Sequence, residues 1–228
     1  MTESVYIIDC DGVLYPESEL ALRKIVDAMK KIYRENIGLS GEQQRKISEE
    51  SINKKHLGVF NYIKDICDAT GYDFKKYCQE MAAEIDYNSI EYNAKLKDVL
   101  LKTAKQNKVV IFSNNSFEHI DKVLQKVFKQ SAVSLQQENI EVYDIGQTKR
   151  DGYFHPKQSE HGFEYFLEKH RLSGEDCLLF DDAQTNLSAA KRLGIKGYLV
   201  TPENSLEKLL TKLQQGQFKL EKNYGQAR

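Results

Sequence analysis

Four aspartates follow two short apolar segments of the sequence. Asp9 and Asp11 come after a segment near the start, and Asp181 and Asp182 come after a segment in the last quarter. Because side chains alternate along an extended segment, Asp9 and Asp11 can point the same way. Carboxylates that converge from two segments repel one another unless a cation lies between them, and oxygen ligands favour a hard ion such as Mg²⁺. We therefore predict an Mg²⁺ site that leaves one aspartate as a nucleophile.

Ser113 and Asn114 follow a third apolar segment, Lys108–Phe112. A hydroxyl group, backbone amides and a nearby lysine suit the oxygens of a phosphoryl group. Together with the four aspartates, these residues predict a site for Mg²⁺ and phosphate.

The segments that carry these residues alternate with helical patterns. The sequence predicts strands over residues 5–8, 108–112, 140–145, 177–180 and 197–200, with helices between them from residue 93 onward. This alternation indicates an α/β fold with a parallel sheet covered by helices on both faces. Such sheets carry their chemistry at the carboxyl ends of the strands, which is where the predicted site residues stand.

Residues 17–92 carry helical patterns and no strand pattern. Apolar residues recur at helical spacing between Leu22 and Tyr33, Ser40 and Gln43 have the spacing of a capping box, and Gly71 separates two further helical patterns. We therefore predict a catalytic core of residues 1–16 and 93–228 and an all-helical domain of residues 17–92. An insertion directly after the first strand lies where a cap over the active site would be attached.

Charge and composition exclude several classes of protein. The 33 basic and 34 acidic residues nearly balance, which argues against a nucleic-acid platform. No apolar run approaches the ~18 residues of a transmembrane span, and the four cysteines form no C-x-x-C pair. We predict a cytoplasmic enzyme. Association of the carboxyl-terminal end with a membrane or a partner stays open because of its basic residues, Lys208, Lys212, Lys219, Lys222 and Arg228.

Four segments together resemble the motifs of the haloacid dehalogenase (HAD) superfamily of phosphohydrolases. The sequence DCDGVLY from Asp9 resembles the first motif, and the strand that ends in Ser113 resembles the second. FDDAQTN, from Phe180, is similar to the fourth. The third motif is usually Lys-Pro, and this chain departs from it with the order Pro156-Lys157. The resemblance implies a Rossmann-like core with a helical cap inserted after the first motif.

The resemblance also implies catalytic and metal-binding roles. Asp9 would attack phosphorus and form an aspartyl-phosphate, and Asp11 would protonate the leaving oxygen and then deprotonate the hydrolytic water. Mg²⁺ would be bound by Asp9, the backbone carbonyl of Asp11, and Asp182, with Asp181 acting directly or through water. Family members that cleave carbon–halogen bonds lack the second aspartate, so Asp11 favours phosphoester chemistry.

The phosphate-binding residues follow from the same resemblance. Ser113, the amide of Asn114, and Lys157 would hold the phosphoryl oxygens, and Asn186 would support the loop that carries Asp182. Neither the resemblance nor the composition indicates a further cofactor besides Mg²⁺.

Several substrates and functions stay open. Tyr15-Pro16 after the first motif resembles pyrimidine 5′-nucleotidase-like members and suggests nucleoside monophosphates. Phosphotyrosyl proteins are another substrate class, since some family members, including bacterial effectors delivered into host cells, act on them. A phosphotransferase or mutase, another small-metabolite phosphatase, and an inactive binding scaffold are the remaining alternatives.

The five histidines and Cys10 are expected to be structural. The histidines form no ligand pair, so each is expected at the surface or in packing, and His155 alone is a candidate to face the site because it flanks Lys157. Cys10 lies between two aspartates and is expected to point into the core.

Overall fold

The computed structural model describes residues 4–16, 18, 20, 22–53 and 58–216. A five-stranded parallel sheet in the order β3-β2-β1-β4-β5 forms its centre. The strands are β1 (Val5–Ile8), β2 (Lys108–Phe112), β3 (Ile140–Tyr143), β4 (Cys177–Asp181) and β5 (Lys196–Leu199). The predicted α/β fold with a parallel sheet is confirmed.

Three predicted strands have different ends in the structure, and the one predicted over 177–180 extends by a single residue to Asp181. The strand expected over 140–145 ends at Tyr143, because the N–H of Ile145 donates to the carbonyl of Asn115 and a 3₁₀-helix begins there. The last strand covers Lys196–Leu199 instead of 197–200. Strand ends differ by such amounts because periodicity does not mark where the last ladder hydrogen bond forms.

Alternate side chains of the strands enter two apolar clusters, one on each face of the sheet. Ile8 and Phe180 belong to the cluster on one face, and Ile7 and Leu179 belong to the cluster on the other. Both faces are therefore buried, as a parallel sheet requires. The helices after β1's insertion are α5 (Ala94–Ala104), α6 (Phe117–Val127), α7 (Ala132–Gln136), α8 (Glu160–His170), α9 (Gln184–Arg192) and α10 (Leu206–Gln214).

A helical insertion, residues 22–84, lies between β1 and α5. Its helices are α1 (Leu22–Lys31), continued by a π-helical stretch (Ile32–Asn36), α2 (Gly41–Asn53), α3 (Val59–Thr70) and α4 (Phe74–Glu84). The predicted capping box is present, since Ser40 and Gln43 exchange hydrogen bonds of 2.8 and 3.2 Å. Gly71, with φ +68°, ends α3.

The insertion is anchored on the sheet by apolar packing. Helix α4 packs against α6. Tyr77 and Met81 of α4 belong to the same buried cluster as Ile111 of β2 and Leu124 of α6. The insertion therefore shares one apolar core with a face of the sheet, and its behaviour as a separate domain stays a prediction.

None of the helices within the described ranges is both long and apolar enough to cross a bilayer. Residues 217–228, which carry most of the basic end noted in the sequence, lie outside the described residues.

Candidate active site

Backbone pairing continues past the strand ends and fixes the first residues of the site. The N–H of Asp9 donates to Phe180 O at 2.9 Å, and the N–H of Ser113 donates to Tyr143 O at 3.1 Å. Asp9 and Ser113 thus stay in register at the carboxyl edge of the sheet, beside Asp181 at the end of β4. Local β-structure therefore sets the positions of three predicted site residues.

These strand ends surround a cavity of about 260 Å³. It brings together six of the seven predicted site residues. Asp181 lies beneath it, fully buried, and Asn115 is an additional lining residue. The lining consists of Asp9, Asp11, Ser113, Asn114, Asn115, Lys157 and Asp182.

Lys157 occupies the centre of the acidic cluster. Its Nζ lies 2.7 Å from Asp9 Oδ1 and 2.7 Å from Asp181 Oδ2, and its side chain is 1% exposed. The backbone N–H of Lys157 donates to Asn114 Oδ1 at 2.8 Å, which ties the loop to the end of β2. The reversed Pro-Lys order therefore still places a lysine in the cavity.

Asp181 is held by three donors, two from the turn that follows it and one from Lys157. Its Oδ1 accepts from the N–H of Ala183 and from Asn186 Nδ2, both at 2.9 Å, while Oδ2 accepts from Lys157. These bonds suit a residue that orients Lys157 and the following turn. The exposed carboxylate of Asp182 and that of Asp9 are consequently better placed than Asp181 to ligate a metal directly.

The carboxylates of Asp9, Asp181 and Asp182 form a group suited to a metal ion. One oxygen from each lies within 4.8 Å of the others. Burial raises the pKa of Asp9 to about 8; the charges of Asp181 and Asp11 add to the effect and Lys157 opposes it. Burial lowers the pKa of Lys157, but the two neighbouring aspartates outweigh burial and raise it. Three carboxylates around one lysine therefore fit a hard divalent cation.

Gly12 lets the loop after Asp11 pass directly against Asp182. Its φ is +78°, and a Cβ at this position would lie 2.1 Å from Asp182 Oδ2. The loop turns tightly here, since the N–H of Leu14 donates to the carbonyl of Cys10 at 2.9 Å. Cys10 itself is fully buried in the apolar cluster, as expected.

Asp11 is surrounded by hydrogen-bond donors. Its Oδ1 accepts from the Tyr15 hydroxyl at 2.5 Å and from His119 Nε2 at 2.8 Å, and its Oδ2 accepts from Asn115 Nδ2 at 2.7 Å. Burial acts to raise the pKa of Asp11, but His119, Tyr15 and Asn115 together hold it below its usual range. The hydroxyl of Tyr15, a residue that is 5% exposed, therefore binds the Asp11 carboxylate.

Two histidines, His119 and His155, have surroundings that differ from those predicted. His119 was expected in packing or at the surface, yet it is fully buried and bonds to Asp11. His155, the predicted candidate, packs its ring against His161 and Tyr165 and does not line the cavity. Asn115 could have been included from its adjacency to Ser113. No spacing signal links His119 to Asp11, because they are 108 residues apart.

A second, smaller cavity of about 160 Å³ adjoins the first. Asn114 lines both cavities. Phe60 of α3 and Phe154 meet edge to face at its wall, with ring centroids 6.4 Å apart. Asn61 donates to and accepts from the backbone of Phe154, both at 2.8 Å, and so clamps α3 to the core. The remaining lining is mainly apolar and comprises Gly58, Val59, Ile145, Pro156 and Gln158.

Comparisons with known proteins agree with this geometry. Residues 4–194 match the family model described as haloacid dehalogenase-like hydrolase. A HAD family enzyme of Bacteroides thetaiotaomicron has a similar fold, with TM-score 0.57, 19% identity, and 92% of this chain and 98% of that chain covered. A crystal structure of that enzyme in complex with magnesium and inorganic phosphate aligns with TM-score 0.53 and 20% identity, over 91% and 98% of the two chains.

A third similar structure is that of a dehalogenase. The 2-haloacid dehalogenase of Pseudomonas syringae pv. Tomato DC3000 aligns with TM-score 0.57 and 11% identity, over 95% of this chain and 100% of that chain. No curated protein sequence matches the chain. At these identities the structural likenesses show a shared fold, so the chemistry has to be argued from the site itself.

Proposed function

The chain belongs to the haloacid dehalogenase-like hydrolase family, and we propose that it hydrolyses phosphate monoesters with Mg²⁺ through an aspartyl-phosphate on Asp9. The observation that carries the proposal is the cavity in which Asp9, Ser113, Lys157 and Asp182 meet. A nucleophilic carboxylate, a hydroxyl, a buried ammonium group and a second carboxylate are the parts that phosphoryl transfer needs.

The metal would be held by the Asp9 and Asp182 carboxylates and the backbone carbonyl of Asp11, with Asp181 behind them. When bound, Mg²⁺ neutralises the crowded carboxylates and the charge on the phosphoryl oxygens. The magnesium and phosphate complex of the Bacteroides enzyme supports this choice of metal.

Asp9 is oriented for attack by two donors. Its Oδ1 accepts from the N–H of Cys10 at 2.7 Å and from Lys157 Nζ at 2.7 Å. Both bonds fix the rotation of the carboxylate, so the nucleophile needs little reorganisation before it attacks phosphorus. The bond from phosphorus to the leaving oxygen breaks as the aspartyl-phosphate forms.

Ser113 and Lys157 hold the phosphoryl group. Ser113 Oγ accepts the N–H of Asn115 at 3.0 Å and donates a long hydrogen bond of 3.5 Å to Asp11 Oδ2, which a phosphoryl oxygen in the cavity would replace as acceptor. The backbone amide of Asn114 and the ammonium group of Lys157 are further donors. Charge stabilisation of this kind supplies most of the catalysis in phosphoryl transfer.

Asp11 acts as the acid and then the base. Because the free site holds Asp11 ionised, Asp11 first takes up a proton from solvent and gives it to the leaving oxygen. It afterwards takes a proton from the water that attacks the aspartyl-phosphate, and this proton serves the next turnover. The retained second aspartate supports hydrolysis of a phosphoester and distinguishes the site from one that cleaves a carbon–halogen bond.

The apolar lining of the cavity beside Asn114 favours a substrate whose leaving group is apolar and planar. The rings of Phe60 and Phe154 and the side chain of Ile145 border it, and Val59 at its rim is 50% exposed. Phosphotyrosyl groups and pyrimidine nucleoside monophosphates both present a ring to such a cavity. The helical insertion, which supplies Phe60 and Val59, would serve as the cap over the bound ester.

Phosphate release from p-nitrophenyl phosphate tests the reaction. Activity should require Mg²⁺ and stop with EDTA. A panel of phosphotyrosyl peptides, nucleoside monophosphates and sugar phosphates then ranks leaving groups. Transfer of phosphate to an acceptor would identify a phosphotransferase. If the folded protein turns over no substrate of the panel, the alternative of an inactive binding scaffold is favoured.

A variant at the rim tests the leaving-group cavity. Val59→Trp should raise KM for aryl esters while inhibition by inorganic phosphate stays unchanged, because the phosphate cavity is untouched. Val133→Trp, at a residue that is 64% exposed on α7, is the matched control. Equal KM values in the two variants would contradict this assignment.

A further inference from the structure

The Asp11 carboxylate accepts hydrogen bonds from three protein side chains, although part of it is open to solvent. Its side chain is 29% exposed, yet both of its oxygens accept bonds from protein donors. Oδ1 accepts two hydrogen bonds, from Tyr15 and His119, so both of its lone pairs are used. Oδ2 accepts one from Asn115 and lies 3.5 Å from Ser113 Oγ, at the phosphate cavity. The carboxylate is thus held with Oδ2 toward the place where an ester oxygen would lie.

His119 has a specific partner on each side of its ring. Nε2 faces Asp11 at 2.8 Å, and Nδ1 lies 3.0 Å from the Tyr87 hydroxyl. An ionised carboxylate only accepts hydrogen bonds, so Nε2 carries the proton in this pair. Burial in any role requires polar partners for both ring nitrogens. What distinguishes the fully buried His119 is that one of these partners is the carboxylate of Asp11, which lines the cavity.

The two tyrosines that contact Asp11 and His119 come from the two segments that connect the core to the helical insertion. Tyr15 follows β1, before the insertion, and Tyr87 follows α4, after it. His119 is in the first turn of α6, where the Ser116 side chain accepts its N–H. The packing of α4 on α6 keeps Tyr87 beside His119.

We propose that His119 is a positioning residue for Asp11, that Tyr87 in turn positions His119, and that together they direct Asp11 Oδ2 at the leaving-group oxygen. This inference rests on the proposed function, in which Asp11 is the acid and base. It assigns the orientation of that group to residues on α6 and on the return from the insertion.

The first test compares good and poor leaving groups. p-Nitrophenolate departs without much help from an acid, whereas an alkoxide needs a proton. His119→Leu should therefore lower the single-turnover rate of alcohol release from an alkyl phosphate of the panel. This loss should be at least about tenfold larger than the loss in the burst rate of p-nitrophenol release. KM should change little, because no phosphate-binding residue is altered. Equal losses on both substrates, or a loss confined to KM, would overturn the proposal.

Two further variants separate positioning from stability. His119→Gln keeps a side-chain N–H donor and should recover part of the lost selectivity, whereas His119→Leu should not. Tyr87→Phe removes a single hydroxyl and should show the same leaving-group pattern at smaller size. Tyr143→Phe is its control, since that buried hydroxyl donates to Gln147 O, outside the network. No difference between Tyr87→Phe and Tyr143→Phe would contradict the role of Tyr87.

A spectroscopic measurement does not depend on turnover. ¹⁵N NMR of the wild-type protein should show His119 protonated at Nε2 with slow proton exchange, and both properties should change in Asp11→Asn. A wild type without phosphatase activity would refute the proposed function. If the ¹⁵N signals and the proton exchange of His119 are the same in the wild type and in Asp11→Asn, the positioning role is refuted, whatever the activity.

Discussion

Asp9 and Asp11 are the same residue type two positions apart, yet they lie in opposite environments. Asp9 faces two other carboxylates and one lysine, and its pKa is raised. Asp11 faces a tyrosine, a histidine and an amide that donate to it, and its pKa is lowered. The difference arises from the elements around them, since Asp9 borders the β4 side of the site and Asp11 borders α6.

The comparison shows how one loop provides two kinds of carboxylate. The side of Asp9 is short of positive charge and is completed by a cation, so it is suited to bind metal and phosphate. The side of Asp11 is complete within the protein, so it holds one carboxylate in a fixed orientation. Substitutions should therefore affect the two sides differently.

The largest expected effect is on turnover at the Asp9 side. Asp9→Asn should reduce phosphate release by roughly four orders of magnitude or more, because an amide cannot form the acyl-phosphate. In EDTA its melting temperature should not fall, since one of three crowded like charges is removed. Substantial residual activity in folded Asp9→Asn would contradict the assignment of the nucleophile.

Asp11→Asn should cost less activity and more stability. We expect activity to fall by about 10²–10⁴-fold. We also expect a loss of about 1–3 kcal/mol in the free energy of unfolding, because an amide group would face donors from Tyr15, His119 and Asn115. Chemical denaturation measures this loss, with the exposed Asp98→Asn as control. The comparison fails if Asp11→Asn in EDTA is as stable as Asp9→Asn.

Metal should stabilise the Asp9 side specifically. Mg²⁺ at about a hundredfold excess over its dissociation constant should add about 2.7 kcal/mol to the free energy of unfolding. Asp182→Asn should remove most of this gain, whereas Asp98→Asn should retain it. Thermal unfolding with and without Mg²⁺ measures the difference, and equal gains in both variants would place the metal elsewhere.

Gly12 offers a matched pair of backbone variants. Gly12 and Gly38 have φ values of +78° and +77°, but a Cβ at Gly38 meets nothing within 4 Å. Gly38→Ala should therefore cost only the conformational strain, about 1 kcal/mol. Gly12→Ala should cost more and also weaken stabilisation by Mg²⁺, because its Cβ displaces Asp182. Equal unfolding free energies would show that the loop can move away from Asp182 without cost.

The smallest expected effect is on how the free energy of unfolding in EDTA changes with pH. A lowered pKa at Asp11 contributes stability that is lost as pH falls below about 4, the ordinary range of the group. A raised pKa at Asp9 acts in the opposite direction, since its contribution declines as pH rises from about 4 toward 8. Asp9→Asn should thus gain stability relative to the wild type over that range. If the difference in unfolding free energy between Asp9→Asn and the wild type does not change with pH, the opposite pKa shifts of Asp9 and Asp11 are contradicted.

Much of the fold and of the site could be predicted from local patterns. The alternation of strands and helices identified the parallel sheet, and the polar residues after β1, β2 and β4 line the cavity as expected. Such predictions succeed because a short apolar run identifies a strand to within one or two residues, and parallel sheets place the carboxyl ends of their strands at one edge. Lys157 also reaches the site, although its motif order is reversed.

The remaining features depend on contacts between distant parts of the chain. The bond from His119 to Asp11, the bond from Lys157 to Asp181, and the cavity between α3 and the core have no periodic signature. The sequence by itself determined which carboxylates stand at the carboxyl edge of the sheet. Only the tertiary structure decided which of them is short of positive charge and which is held by donors, because helix packing selects the neighbours of each carboxylate and those neighbours set its pKa.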